Sequence, residues 1–164
     1  MKNTTPAFTV SSPAFAPGAN IPKKYTGWGE DLSPELRLEN LPSDAVSLAI
    51  IMDDLDHPLS GYNHWVIWNI APQAVIAENI PHGPKVEGLE GALQGVGYGK
   101  HRYRGPKPPV FLRGAHRYVF YVYALDCMLD LGSTARKKDL LKAMQGHVLQ
   151  QASIMGIYQN GQKI

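Results

Sequence analysis

Two stretches of the chain concentrate the side chains that can move protons, hold metals or capture anions. The first reads Met52-Asp53-Asp54-Leu55-Asp56-His57-Pro58 and, after Leu59–Asn63, reaches His64-Trp65. The second reads Tyr103-Arg104-Gly105-Pro106-Lys107-Pro108-Pro109, then Val110–Ala115, then His116-Arg117-Tyr118. Three acids after an apolar run are costly to bury unless solvated or paired, so they belong at a strand end beside an opening. In extended chain Asp53 points away from Asp54, whereas Asp54 and Asp56 share a face. Asp54 with His64 and His116 fits three chemistries. The carboxylate can orient one imidazole while the other reaches a substrate, the acid–base set of a hydrolase or isomerase. Two histidines and a carboxylate also suit several divalent metals. Alternatively, imidazole and backbone N–H donors can hold a phosphate or carboxylate without turning it over. Nucleophilic catalysis has little support, because Cys127 lies in an apolar stretch far in sequence from both histidines and reads as a buried structural thiol. As the single cysteine it excludes an internal disulfide framework and a cysteine cluster for zinc. His57, His82, His101 and His147 read as surface or capping residues. His64 and His116, each opening an aromatic strand, read as functional.

Such groups need strands that end together. Val46–Met52 is a short β-branched apolar run, long enough for a buried strand and too short for an independent helix. His64–Ile70 carries apolar residues on both faces, and so does His116–Leu125, where His116, Tyr118, Phe120 and Val122 alternate with Arg117, Val119, Tyr121 and Tyr123. These three segments form the centre of one sheet, covered on both sides. Phe8–Ser11 and Glu35–Leu38 are shorter strands within a region punctuated by proline and glycine from Pro6 to Pro42. Ile80–Pro109 is long, irregular and rich in glycine, which in a compact domain points to function. Its glycines would allow a phosphate-cradling loop, but it contains neither a GxGxxG ahead of a helix nor a Walker pattern. Every proline lies at or before Pro109, and beyond it the period changes. Ser133 or Thr134 can cap a helix carrying Leu140, Leu141 and Met144 that stops near Gly146. Val148, Leu149, Ala152 and Met155 then suggest a second helix over His147–Tyr158. Arg136-Lys137-Lys138 in the first helical turn opposes the macrodipole and reads as a solvated helix end, with contact to an anion or partner as the alternative.

With 164 residues, 44% apolar and 18% charged, the chain is expected to form one domain, 1–164, with a real core. No apolar run approaches the ~18–20 residues of a membrane span, and Met1–Pro6 lacks the apolar stretch of a secretory signal. A cytoplasmic location is therefore expected. The net charge of +2 is too small to argue for nucleic acid, and no nucleic-acid motif accompanies it. Its distribution is uneven. Gly91–Leu125 has no acid, while Lys100, Arg102, Arg104, Lys107, Arg113 and Arg117 give it six positive charges. Such a field attracts small anions, phosphate groups or acidic surfaces.

At its two chemical stretches the sequence resembles the phosphatidylethanolamine-binding protein family, in its bacterial and archaeal, Raf kinase inhibitor-like branch. The first signature stands as Asp54-Leu55-Asp56-His57-Pro58 with His64-Trp65. The second stands as Gly105 through Pro109, His116-Arg117-Tyr118 and Tyr123-Ala124-Leu125-Asp126. Flanking pieces agree from Ser12-Pro13-Ala14-Phe15 to Gly146-His147-Val148-Leu149, and the likeness spans about residues 8–160. The resemblance implies a mainly β fold, with a large central antiparallel sheet, a smaller sheet packed on it and two C-terminal helices. It implies a pocket at the end of the central sheet for phosphate-like anions and phospholipid head groups. Asp54, His64, His116 and Tyr118 would form it, and Pro58, Lys107 and Pro108 would line its rim. It further implies a binder without metal, cofactor or established reaction, a protein partner such as a kinase, and a homodimer. Three departures stand out: Leu55 replaces a proline between the two aspartates, Lys107 adds a cation at the rim, and Val110-Phe111-Leu112-Arg113 replaces a short glycine-containing turn.

Overall fold

The computed structural model describes residues 4–59 and 61–161. Met1–Asn3, the start of the stretch read above as no secretory signal, lie outside them. Three strands, β1 (Thr9–Ser11), β2 (Leu36–Glu39) and β5 (Val75–Ile76), make a small antiparallel sheet in the order β1-β2-β5. The large sheet joins β3 (Ser47–Asp54), β4 (Tyr62–Ile70), β6 (Leu93–Gln94), β7 (His116–Leu125) and β8 (Val148–Tyr158). Its order is β6-β4-β3-β7-β8, antiparallel throughout.

The three apolar runs expected at the centre are β3, β4 and β7, and every residue of β3 is buried. Alternation sends Leu48, Ile50 and Met52 with Trp65, Phe120 and Val122 to the face shared with the small sheet. Ala49, Ile51, Val66 and Trp68 go to the other face, where Leu140 and Met144 of α1 (Lys137–Met144) cover them. Phe120 lies between Phe15 and Tyr103, at ring-centroid distances of 6.2 and 6.3 Å. Burying one such side chain contributes about 2–3 kcal/mol.

Three expectations for the C-terminal part are corrected. His147–Tyr158 is not a helix; it pairs with β7 from Leu125↔Val148 to His116↔Tyr158 as an edge strand. Its apolar residues satisfy both periods, and Gly156 hides the alternation. That glycine lies among buried Ile154 and Tyr158, where a Cβ would come 2.5 Å from Ile21 Cγ1. The remaining helix starts later than Ser133 or Thr134 suggests. Arg136 is its N-cap, closed by the Arg136 N–H donating to Asp139 Oδ2 at 2.9 Å. Nor is its basic first turn wholly solvated: the Lys137 ammonium pairs with the buried Asp53 carboxylate of β3.

The glycine-rich stretch is a docked edge rather than a phosphate cradle. The Gly95, Tyr98 and Gly99 N–H groups donate to the carbonyls of Val66, Asn63 and His64 in β4. Gly97 permits this approach, since a Cβ there would lie 2.3 Å from Asn63 Oδ1.

Candidate functional site

β3, β4 and β7 finish at a common place, and the antiparallel register decides which side chains meet there. Asp54, the last residue of β3, stands opposite Tyr62 on one side and Tyr118 on the other. His116 and Tyr118 are two residues apart on β7 and share its buried face. His64 arrives differently. Met52 pairs with Trp65 and Asp53 with Asn63, so His64 is the extra residue of a β-bulge. Such an irregularity re-aims a side chain at the end of a sheet.

The hollow so formed is about 400 Å³. Asp54, Pro58, His64, Lys107, Pro108, His116 and Tyr118, the seven residues singled out from the sequence, all line it. Six more join them: His57, Tyr62, Tyr98, Pro109, Phe111 and Leu112. His57 is thus more than a surface residue; its ring stacks on Tyr62 at 4.4 Å. Tyr62 and Tyr98 were not apparent from sequence. The register Asp54↔Tyr62 would have identified the first, whereas Tyr98 comes from the irregular stretch and carries no local signal. The hollow has a polar floor and an apolar mouth, and it is larger than one tetrahedral oxyanion needs.

Hydrogen bonds at the floor fix both imidazoles. Asp54 Oδ2 lies 2.8 Å from His116 Nδ1, and Asp54 Oδ1 accepts the Asp56 N–H at 2.9 Å. The carboxylate accepts, so His116 Nδ1 carries hydrogen and Nε2 is left toward the hollow. His64 Nδ1 lies 2.8 Å from the Arg104 carbonyl oxygen, which can only accept. His64 therefore also keeps Nε2 without a partner among the described residues. Tyr62, Tyr98 and Tyr118 surround the His64 ring edge-to-face at 5.6, 5.1 and 5.3 Å. Burial pushes its pKa below the ordinary 6.5, against the opposing pull of the Arg104 carbonyl and Asp54. Neutral solution thus leaves His64 uncharged. Burial and the neighbouring Asp54 carboxylate raise the Tyr118 hydroxyl, which stays protonated.

Asp56 leaves the shared face predicted for it and binds Arg117, accepting from its N–H, Nε and an Nη at 2.8, 2.9 and 3.0 Å. The reason is that the chain turns immediately after Asp54. Arg117 is one of the six cations of the acid-free stretch, and acids from elsewhere reach two more. Asp31 takes Arg102 at 3.0 Å and Arg104 at 3.7 Å, and accepts the Gly105 N–H at 2.7 Å. Lys107 sits at the rim with its ammonium 5.1 Å from the Trp28 ring centroid. The positive field read from the sequence is therefore partly neutralised within the chain. Among the described residues, one group of three potential metal ligands has its donor atoms within 4.8 Å of one another, Asp126, Cys127 and His147. Asp54, His64 and His116 do not meet that closely.

The profile of the phosphatidylethanolamine-binding protein family matches residues 11–159. A UPF0098 protein of Methanothermobacter thermautotrophicus is 45% identical over 150 residues, covering 90% of this chain and 96% of its own. A crystal structure of a phosphatidylethanolamine-binding protein homologue from Chlamydia trachomatis is 36% identical, with a TM-score of 0.81 over 93% of this chain and 97% of that one. Escherichia coli YbcL, described as a member of the mammalian family, superposes with a TM-score of 0.84 over 94% and 99% of the two chains; at 24% identity it speaks for the fold alone. The chain belongs to the phosphatidylethanolamine-binding protein family. That membership supports a binding-type function. Among the described residues, no helix is long and apolar enough to cross a membrane.

Proposed function

We propose that the chain, as a single domain, is a non-catalytic binder of phosphate-type anions, the phosphate of a phospholipid head group or of another phosphorylated ligand. One observation carries this reading: two imidazoles, each anchored through Nδ1, leave their Nε2 atoms without partners among the described residues in one hollow. Protonated at Nε2, they become the donors that an oxyanion needs. Asp54 holds His116 in the required tautomer and can receive the ammonium of an ethanolamine head group. Pro58, Pro108, Phe111 and Leu112 at the mouth offer apolar contact to whatever follows the phosphate. Family likeness, with the exposed Val110 and Phe111 beside the mouth, supports a protein partner such as a kinase. A homodimer and a cytoplasmic location belong to the same reading.

Ring-proton NMR of His64 and His116 during titration with orthophosphate and with phosphoethanolamine tests the proposal. Both histidines are expected to shift and to do so together. Unmoved resonances at millimolar ligand would refute it. The Asp54–His116 bond favours a second reading, an acid–base enzyme. Turnover of phosphate esters, carboxylic esters or carbohydrates that disappears in His116→Ala would establish that reading instead.

A further inference from the structure

β3 and β7 run from the His64–His116 hollow to the opposite end of the sheet, where Ser47 pairs with Leu125, about 20 Å away at the usual rise per residue. There β7 ends and β8 begins, and the junction gathers a thiol, a carboxylate and an imidazole. Each of Asp126, Cys127 and His147 offers one donor atom, and the three atoms lie within 4.8 Å of one another. We propose that Asp126, Cys127 and His147 form a binding site for a thiophilic divalent transition metal, Zn²⁺ by its chemistry.

Main-chain bonds hold the three in place. The Asp126 N–H donates to the His147 carbonyl at 3.0 Å, clamping the exit of β7 to the entry of β8. Buried Ser47 donates its hydroxyl to the Cys127 carbonyl at 2.6 Å. The His147 N–H donates to the Met144 carbonyl at 2.9 Å, after Gly146 has turned the chain with φ +80°. The backbone thus fixes where the three side chains start, and the Asp126–His147 bond orients two of them. Asp126 Oδ1 and His147 Nδ1 are 2.8 Å apart, bridged by the hydrogen on Nδ1. Replacing that hydrogen with a metal requires the pair to spread to about 3.3 Å, as tetrahedral bonds of about 2.0–2.1 Å dictate. The Cys127 sulfur lies within 4.8 Å of both other donors and must stand about 3.5 Å from each in a tetrahedral site.

The donor set chooses the metal. One sulfur, one nitrogen and one carboxylate oxygen are too soft for Ca²⁺ or Mg²⁺ and suit Zn²⁺ and its neighbours. Binding releases the thiol proton to solvent, while the imidazole exchanges its Nδ1 hydrogen for one on Nε2. Thiolate, carboxylate and neutral imidazole then balance the two charges of the ion, and no electron moves. Three protein ligands leave a fourth position for water, on the side where Asp126 and His147 are about half exposed. Cys127, read from sequence as a buried structural thiol, is only half-buried and faces this junction.

The full-length chain, reduced and stripped with a chelator, would be titrated with Co²⁺ as an optical probe and with Zn²⁺ by calorimetry. Since Cys127 is the single cysteine, a thiolate-to-Co²⁺ charge-transfer band reports on this site alone. The expected result is one ion per chain, with the band absent in Cys127→Ser. Affinity should fall at least about tenfold in His147→Ala and in Asp126→Asn, both checked for native circular dichroism. His64→Ala/His116→Ala should leave the titration unchanged. No band in excess Co²⁺ would overturn the proposal. So would one ion shared by two chains, undiminished affinity in both His147→Ala and Asp126→Asn, or loss of the band in the His64/His116 variant.

Discussion

Anion capture by the hollow should consume a proton, and His64 is where that proton goes. Burial holds its pKa below 6.5 in the unliganded protein, so the ring is neutral at pH 7.5 and its Nε2 is a lone pair. An anion in the hollow reverses the balance by favouring the charged form. Each pH unit above the free-state pKa then costs about 1.4 kcal/mol of affinity, or about tenfold in Kd. Affinity therefore rises as pH falls from 8 toward 6.5. The sign for stability is opposite. The unfolded chain binds the His64 proton more readily than the native one, so without anion the stability from this group is lost as pH drops below 6.5. Sulfate, whose charge is constant over this range, is the clean probe. Calorimetry in buffers of different ionisation enthalpy should show proton uptake with each sulfate bound, about one proton of it carried by His64. Asp31, Asp54, His57, Tyr62, Tyr98, Arg104 and Tyr118 contact or act on the ring, so the His64 contribution is isolated with His64→Asn, which keeps a donor for the Arg104 carbonyl. The variant should lose most of the slope. Binding with the same pH dependence in both proteins would refute the reasoning.

Other consequences are equally direct. Lys137→Met strips the buried Asp53 carboxylate of its cation and leaves it only the Asn63 amide at 3.0 Å. Because the lysine side chain is 34% exposed, the cost is about 2–3 kcal/mol rather than that of a fully buried pair. Urea unfolding should show it, with most recovered in Asp53→Asn/Lys137→Met. Phe111→Ser changes a residue that is 77% exposed and should alter stability by less than about 0.5 kcal/mol. It should weaken a short-chain phospholipid several-fold while leaving orthophosphate binding unchanged, as paired titrations would show. Asp31→Asn removes the anchor of Arg102 and weakens that of the Gly105 N–H. Amide exchange should quicken over residues 101–106 and remain native in β3 and β7.

Both the centre of the sheet and the floor of the hollow were legible in the sequence. Strands buried on both faces must be apolar through their middle, as residues 48–52 of β3 and 65–68 of β4 are, and chemical residues at their ends declare themselves by contrast. Edge strands carry no such constraint. β8 is half exposed along most of its length, so Val148, Leu149, Ala152 and Met155 did not have to alternate and fitted a helix equally well. The helix start was misplaced because the Ala135 carbonyl accepts the Val96 N–H, which keeps that peptide outside the helix. Tyr98 and the Asp31 anchor were invisible for a related reason. Contacts made by irregular backbone, including Asp31 at φ +57°, leave no periodic trace.

The supernumerary position of His64 insulates the interior from the turn that precedes it. From Trp65 onward β4 keeps Trp65 and Ile67 facing the small sheet whatever residues 55–61 do, because this slip in register is completed before Trp65; a second irregularity, between Ile67 and Ile70, brings Ile70 to the same face. Insertions or replacements in that turn can therefore reshape the entrance to the hollow without inverting a strand. Diversity of ligand choice is separated here from the cost of refolding a core.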